Sequence, residues 1–205
     1  MRHAWLGLLL GGVLFTLAAP ARAQTPTKWA TLETDQGTIV IELEPASAPQ
    51  SVDAFVGYAA GTKPWTDASG LIAKRPLYDS TVFHRVIPGF VIQGGDPRGT
   101  GVGGPGQTTP DEAQLPQQKA LHFTRGVVGL AHVPDPNANG SQFFILVGDA
   151  PWLEGRYTRI GHVVEGMANA DKLAKTPRGP GDRPLQSLNL KSVRITDRPP
   201  TGRSR

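Results

Sequence analysis

The stretch Val82 to Asp96, VFHRVIPGFVIQGGD, decides how this chain is read. Val82, Val86, Ile87, Val91 and Ile92 are β-branched, the residue class that favours strands. Pro88-Gly89 between the two runs marks a turn, and Gly94-Gly95 ends the second run. The segment therefore predicts strand, tight turn, strand. One cation, Arg85, and one amide, Gln93, interrupt runs that otherwise suit a core. A charge there is costly unless it is paired, faces a cleft, or snorkels from an edge. Arg85 and Gln93 are for that reason the first candidates for functional side chains.

Working outward, Trp29 to Thr34 and Thr38 to Leu43 flank Asp35-Gln36-Gly37 and predict a β-hairpin. Ser47 to Ala60 changes period. Val52, Phe55, Val56 and Ala59 recur at i, i+3, i+4, i+7, one face of a helix. Ser47 and Gln50 have capping-box spacing at its start. Trp65, in a polar loop, is expected to pack down onto the body. Downstream, Gly101-Val102-Gly103-Gly104-Pro105-Gly106 matches G-x-G-x-x-G, but Gln107-Thr108-Thr109-Pro110 follows and no helical period opens. A phosphate-binding loop needs that helix, so the nucleotide reading is rejected. The glycines instead allow a long loop to lie close along the wall of the fold.

Val127 to Ala131, Gln142 to Val147, Ile160 to Val164 and Leu188 to Ile195 read as strands, and Met167 to Ala174 as a second short helix. His132 to Asn139 reads as a polar loop. The apolar parity of the last strand slips between Leu190 and Val193, which predicts a bulge. Short strands between turns, with two helices, predict a mainly β fold: a closed antiparallel barrel capped at both ends.

Composition narrows the function. The 205 residues, 39% hydrophobic and 19% charged, suit one globular domain. The absence of cysteine excludes disulfides, thiolate nucleophiles and zinc–thiolate sites, and fits an oxidising compartment. Residues 1–23 have the layout of a secretory signal: Arg2, an apolar run from Trp5 to Ala19, then Ala21-Arg22-Ala23 as an A-x-A cleavage site. The expectation is an exported protein beginning at Gln24, residing in a periplasm rather than the medium, with no membrane attachment after cleavage. The formal charge of +4 loses Arg2 and Arg22 with that segment, leaving +2, too little to argue for nucleic acid. Residues 24–197 form the expected domain, and 198–205 read as a disordered basic tail. The histidines do not pair at ligand spacing, so no metal is expected. Ser141 lacks the turn context of a nucleophile elbow.

Phe83 to Asp96 resembles the signature segment of the cyclophilin-type peptidyl-prolyl isomerases. Asn139-Gly140-Ser141-Gln142-Phe143-Phe144-Ile145 resembles the family's second hallmark. Trp152-Leu153-Glu154-Gly155-Arg156-Tyr157, with Ile160-Gly161, resembles its third. The three stand in the family's order across about Trp29 to Thr196. The N-glycosylation sequon at Asn139 is discounted because it falls inside the second segment. The resemblance implies an eight-stranded barrel capped by two helices. It also implies isomerisation of X-Pro bonds in proline-containing polypeptides without a cofactor; the sequence leaves the oligomeric state open, with a monomer as the default expectation. It assigns Arg85, Gln93, Phe90 and Phe144 to catalysis. Substrate binding falls to Val91, Ala131, His132, Gln142, Trp152, Leu153 and Tyr157. Three departures from the family stand out. Many members have Met at Val91 and His at Tyr157, and the loop 132–139 is one residue longer than in the best-known members.

Two rival readings remain open at this level. A holdase would use the same groove without turnover. A barrel carrying a small apolar ligand would need a hollow interior.

Overall fold

The computed structural model describes residues 26–132 and 138–200. The expected signal, residues 1–23, lies outside them, as do residues 133–137 of the predicted polar loop and 201–205 of the basic tail. The strands are β1 (Lys28–Thr34), β2 (Gly37–Leu43), β3 (Trp65–Thr66), β4 (Ile72–Ala73), β5 (Thr81–Val82), β6 (Arg85–Ile87), β7 (Val91–Gly94), β8 (Thr109–Pro110), β9 (Val127–His132), β10 (Ala138–Leu146), β11 (Arg159–Glu165) and β12 (Asn189–Thr196). The helices are α1 (Pro49–Ala60), α2 (Pro116–Lys119) and α3 (Met167–Ala174), with 3₁₀ turns at Pro151–Leu153 and Pro180–Asp182.

One curled antiparallel sheet runs β5-β12-β1-β2-β11-β9-β10-β7-β6, with β8 on β10. An isolated antiparallel bridge joins Val82, in β5 at one end of the sheet, to Asp96, just after β7 near the other. The sequence reading of eight strands and two helices is too simple. Ten strands form this sheet, β3 and β4 form a separate pair, and α2 is a third helix. β5 and β8 have two residues each and α2 has four. Segments that short carry no readable period. The predicted bulge is present: Glu33 pairs Ser192 while Thr34 pairs Leu190, so Lys191 is the extra residue.

Helix α1 buries Val52, Phe55 and Ala59, as its period requires, together with Tyr58. Its start corrects the expectation of a capping box. Ala48 is the cap residue and supplies no side-chain bond. The Glu112 carboxylate does the capping instead, accepting the N–H of Ser51 at 2.8 Å and of Gln50 at 3.3 Å. A negative charge there also suits the helix dipole. Trp65 is buried as expected, its Nε1 donating to the Arg75 carbonyl at 2.9 Å, with the Arg75 guanidinium 4.7 Å from its ring.

The concave face of the sheet is filled, not hollow. Phe143 meets Phe55 and Tyr78 edge-on at 5.6 Å, and Phe83 at 6.3 Å. Ile39, Ile41, Leu130, Ile145 and Leu173 complete this core. The reading as a carrier of an interior ligand loses its basis here. A second apolar cluster lies on the other face: Val91, Phe123, Val127, Ala131, Phe144, Leu146 and Ala150. Strand alternation produces both. In β10, Phe143 and Ile145 enter the core while Phe144 and Leu146 enter the outer cluster.

Candidate active site

β6 and β7 pair in register, with Arg85 opposite Gln93, Val86 opposite Ile92 and Ile87 opposite Val91. Val86 and Ile92 belong to the core, so Arg85 and Gln93 project from the opposite face. β7 also pairs with β10, which sets Phe144 opposite Gln93. β9 is the next strand over and brings Ala131 and His132. The chain after β10 returns through the 3₁₀ turn and brings Leu153 and Tyr157.

These residues line one cleft of about 190 Å³: Arg85, Phe90, Val91, Gln93, Ala131, His132, Phe144, Leu153 and Tyr157. They are nine of the eleven side chains singled out from sequence. Gln142 lines the neighbouring cleft with Gly101, Val102, Gly103 and Gly140, and Ala131 and His132 border both. Trp152 stands 57% exposed at the rim, its ring 5.7 Å from Phe90. The floor is apolar and closely held. Phe144 packs against Tyr157 edge-on at 5.7 Å and beside Phe123 at 6.5 Å. Tyr157 stacks on His132 at 4.6 Å. Gly129 makes room for the Phe144 ring, since a Cβ there would run into it. Neither Phe123 nor Gly129 was assigned from sequence. Gly129 faces Phe144 across the β9–β10 ladder, a pairing that only the fold supplies.

A polar relay joins the cleft to the glycine-rich loop. Arg85 Nη1 faces Gln93 Oε1 at 3.4 Å, and Gln93 Nε2 donates to Gln142 Oε1 at 2.9 Å. Gln142 Nε2 donates to the carbonyls of Gly103 at 2.8 Å and Gly101 at 3.1 Å. That loop is itself wound around the buried Asp96 carboxylate. Asp96 accepts N–H groups from Arg98, Thr100, Gly101 and Gly103, and the Thr100 hydroxyl. A side chain on Gly103 would collide with this carboxylate. The glycines expected to let the loop lie close therefore have a definite partner. Burial pushes Asp96 up, but the bonds from Arg98, Gly101, Gly103 and Thr100 outweigh it and hold the carboxyl below its ordinary value. Burial pushes His84 down, with Asp96 opposing; a neutral ring there spares Arg85 a neighbouring positive charge.

The predicted polar loop is partly strand: His132 and Asn139 pair directly, in β9 and β10. Asn139 is fully buried, and the Ser141 hydroxyl donates to the Gly95 carbonyl at 2.7 Å. Both facts agree with discounting the sequon.

A family model described as cyclophilin type peptidyl-prolyl cis-trans isomerase/CLD matches residues 29–195. Peptidyl-prolyl cis-trans isomerase B of Streptomyces anulatus is 43% identical over 174 residues, covering 83% of this chain and 97% of that protein. Peptidyl-prolyl cis-trans isomerase A of Mycobacterium tuberculosis is 42% identical, covering 83% and 93%. Among solved structures, a cyclophilin type peptidyl-prolyl cis-trans isomerase of Cryptosporidium parvum superposes with a TM-score of 0.70 at 30% identity, covering 84% of this chain and 99% of that one. A second structure of that protein, in the presence of the dipeptide Ala-Pro, gives a TM-score of 0.67 at 32% identity, covering 82% and 98%. Sequence and fold agree, and the chain belongs to the cyclophilin-type peptidyl-prolyl cis-trans isomerase family.

Proposed function

We propose that this protein accelerates cis–trans rotation about X-Pro bonds in other polypeptides, and so assists their folding. The observation that carries the reading is the half-exposed Arg85 guanidinium at the edge of an apolar cleft.

The uncatalysed barrier is about 18–20 kcal/mol because rotation breaks amide conjugation. No covalent chemistry is required; the catalyst must favour the twisted amide over both planar forms. When the amide twists, the prolyl nitrogen becomes pyramidal and regains a lone pair. A donor fixed at that position interacts with it only then, which is selective stabilisation of the transition state. Arg85 suits this role because its guanidinium stays charged and presents several donors in a rigid fork. Phe90, Val91, Phe144, Leu153 and Tyr157 offer the ring an apolar socket. Gln93 orients Arg85. Gln142 and the main chain at Ala131 and His132 bind the peptide backbone, and Trp152 borders the groove.

The expected substrates are proline-containing polypeptides, without nucleic acid or cofactor. Action as a monomer is the default expectation, which light scattering on the purified protein tests. Arg2, the apolar run Trp5 to Ala19 and Ala21-Arg22-Ala23 support export to a periplasm. N-terminal sequencing of the protein recovered from cells tests this, with Gln24 the expected first residue and an intact Met1 the contrary result. The bridge between Val82 and Asp96 supports closure of the sheet into a barrel.

The decisive assay follows cis–trans exchange of a proline peptide with wild type and Arg85→Ala. Loss of one fixed donor predicts a fall of about a hundredfold or more in kcat. Equal rates would remove Arg85 from the mechanism. A wild type that binds the peptide without speeding exchange would favour the holdase reading.

A further inference from the structure

The 3₁₀ turn Pro180–Asp182 packs on β6 beside Arg85, and sequence reasoning assigned it nothing. Its backbone is unusual. Gly181 has φ 69° and Asp182 has φ 58°, so a non-glycine residue occupies the left-handed region. Aspartate and asparagine tolerate that region best among residues with a side chain. Such outliers persist where the surroundings impose them, and they cluster at functional sites. Here the conformation sets the Asp182 carboxylate between two arginines. Oδ1 takes Arg178 Nε at 3.0 Å, and Oδ2 lies 3.6 Å from Arg85 Nε. The turn is tied down on both sides. Gly179 N–H donates to the Arg183 carbonyl, and Arg183 Nη2 to the Gly99 carbonyl, each at 2.8 Å.

We infer that Asp182 is a positioning residue for Arg85, an inference that rests on Arg85 being the donor to the prolyl nitrogen. The guanidinium is planar, so contacts on two of its edges fix the direction of the third. Gln93 meets Nη1 and Asp182 meets Nε, which leaves Nη2 without a hydrogen-bond partner among the described residues. The single contact matters as much as its charge. A bidentate carboxylate would draw two donors away from the cleft. Asp182 shares its charge with Arg178 and meets Arg85 at Nε in an ion pair longer than a hydrogen bond, so it steers the fork while Nη2 keeps no hydrogen-bond partner among the described residues.

The test measures kcat and KM for an uncharged proline peptide with wild type, Asp182→Asn and Asp182→Ala, at low and high salt. Thermal unfolding is followed alongside. Asn keeps the turn and loses the charge. For Asp182→Asn, kcat is expected to fall about three- to tenfold with KM unchanged, because orientation acts in the transition state. The wild-type advantage shrinks as salt screens this half-exposed pair, which a purely structural turn would not show. Combined with Arg85→Lys, Asp182→Asn adds no further loss. Equal low-salt kcat in wild type and Asp182→Asn overturns the inference. If wild type fails to speed exchange, the isomerase reading falls instead. The NMR signal of the Arg85 Nε–H then tests the positioning alone. A shifted, broadened signal in Asp182→Asn supports it, and an unchanged one overturns it.

Discussion

Phe143 and Phe144 are consecutive residues of one strand with opposite fates. Phe143 is fully buried, ringed by Phe55, Tyr78 and Phe83 inside the curled sheet. Phe144 points the other way, floors the cleft, and touches Phe123 and Tyr157. The inner ring is held on all sides and serves stability. The outer ring is held below and at its edges, and its open side is what a substrate could use. A sheet therefore builds core and socket from the same strands. Whatever sets the register of β10 against β7 and β9 sets both at once.

The sharpest way to break this comparison is to truncate each ring. Phe143→Ala is expected to lower unfolding free energy by about 3–5 kcal/mol, the range for a core aromatic. Phe144→Ala should cost less than half of that while raising KM for a proline peptide at least several-fold. Chemical denaturation and peptide kinetics on both variants decide it, and interchanged effects would dissolve the distinction. Gly129→Ala probes the outer side more finely. Its new methyl meets the Phe144 ring, so an overpacking cost of about 1–3 kcal/mol is expected, together with a disturbed socket. A variant with wild-type KM and an unmoved Phe144 in its structure would show that the floor has slack.

A smaller effect separates the two regions by pH. The interior cluster is apolar, whereas the loop beside the cleft is wound on the Asp96 carboxylate. Because the folded pKa of Asp96 lies below its ordinary 3.8, its stabilisation is present above that value and is lost as pH falls through the folded one. Amide exchange in residues 97–103 should rise on acidification before exchange in β1 and β2 does. The stability gap between wild type and Asp96→Asn should narrow from about pH 5 to about pH 3. A gap independent of pH would assign the loop's order to its glycines alone.

Much of this was legible because it is periodic or local. α3 spans Met167–Ala174 as its pattern predicts, and the hairpin β1–β2 and the bulge in β12 follow from parity. Most site residues were legible through three segments resembling one family, with Ala131 and His132 lying outside those segments, and the fold gathers nine of the assigned residues into one cleft. What escaped depends on partners far along the chain. The carboxylate that caps α1 lies 61 residues from the N–H it accepts, so the local spacing of Ser47 and Gln50 misled. Asp182 sits in a Gly/Pro loop with no period at all, and its relation to Arg85 exists only once β6 is laid beside that turn.

By itself, the sequence determined which residues alternate, where the chain turns, and which polar groups are too expensive to bury without a use. Those follow from the two-residue repeat of a strand and the solvation of charge, which act within a few residues. The curl of the sheet decided the rest: which side of each strand became interior, which loops meet over Arg85, and which carboxylate serves which donor. Those outcomes are contacts between distant segments, and their energies come into being only when the sheet has curled around its core.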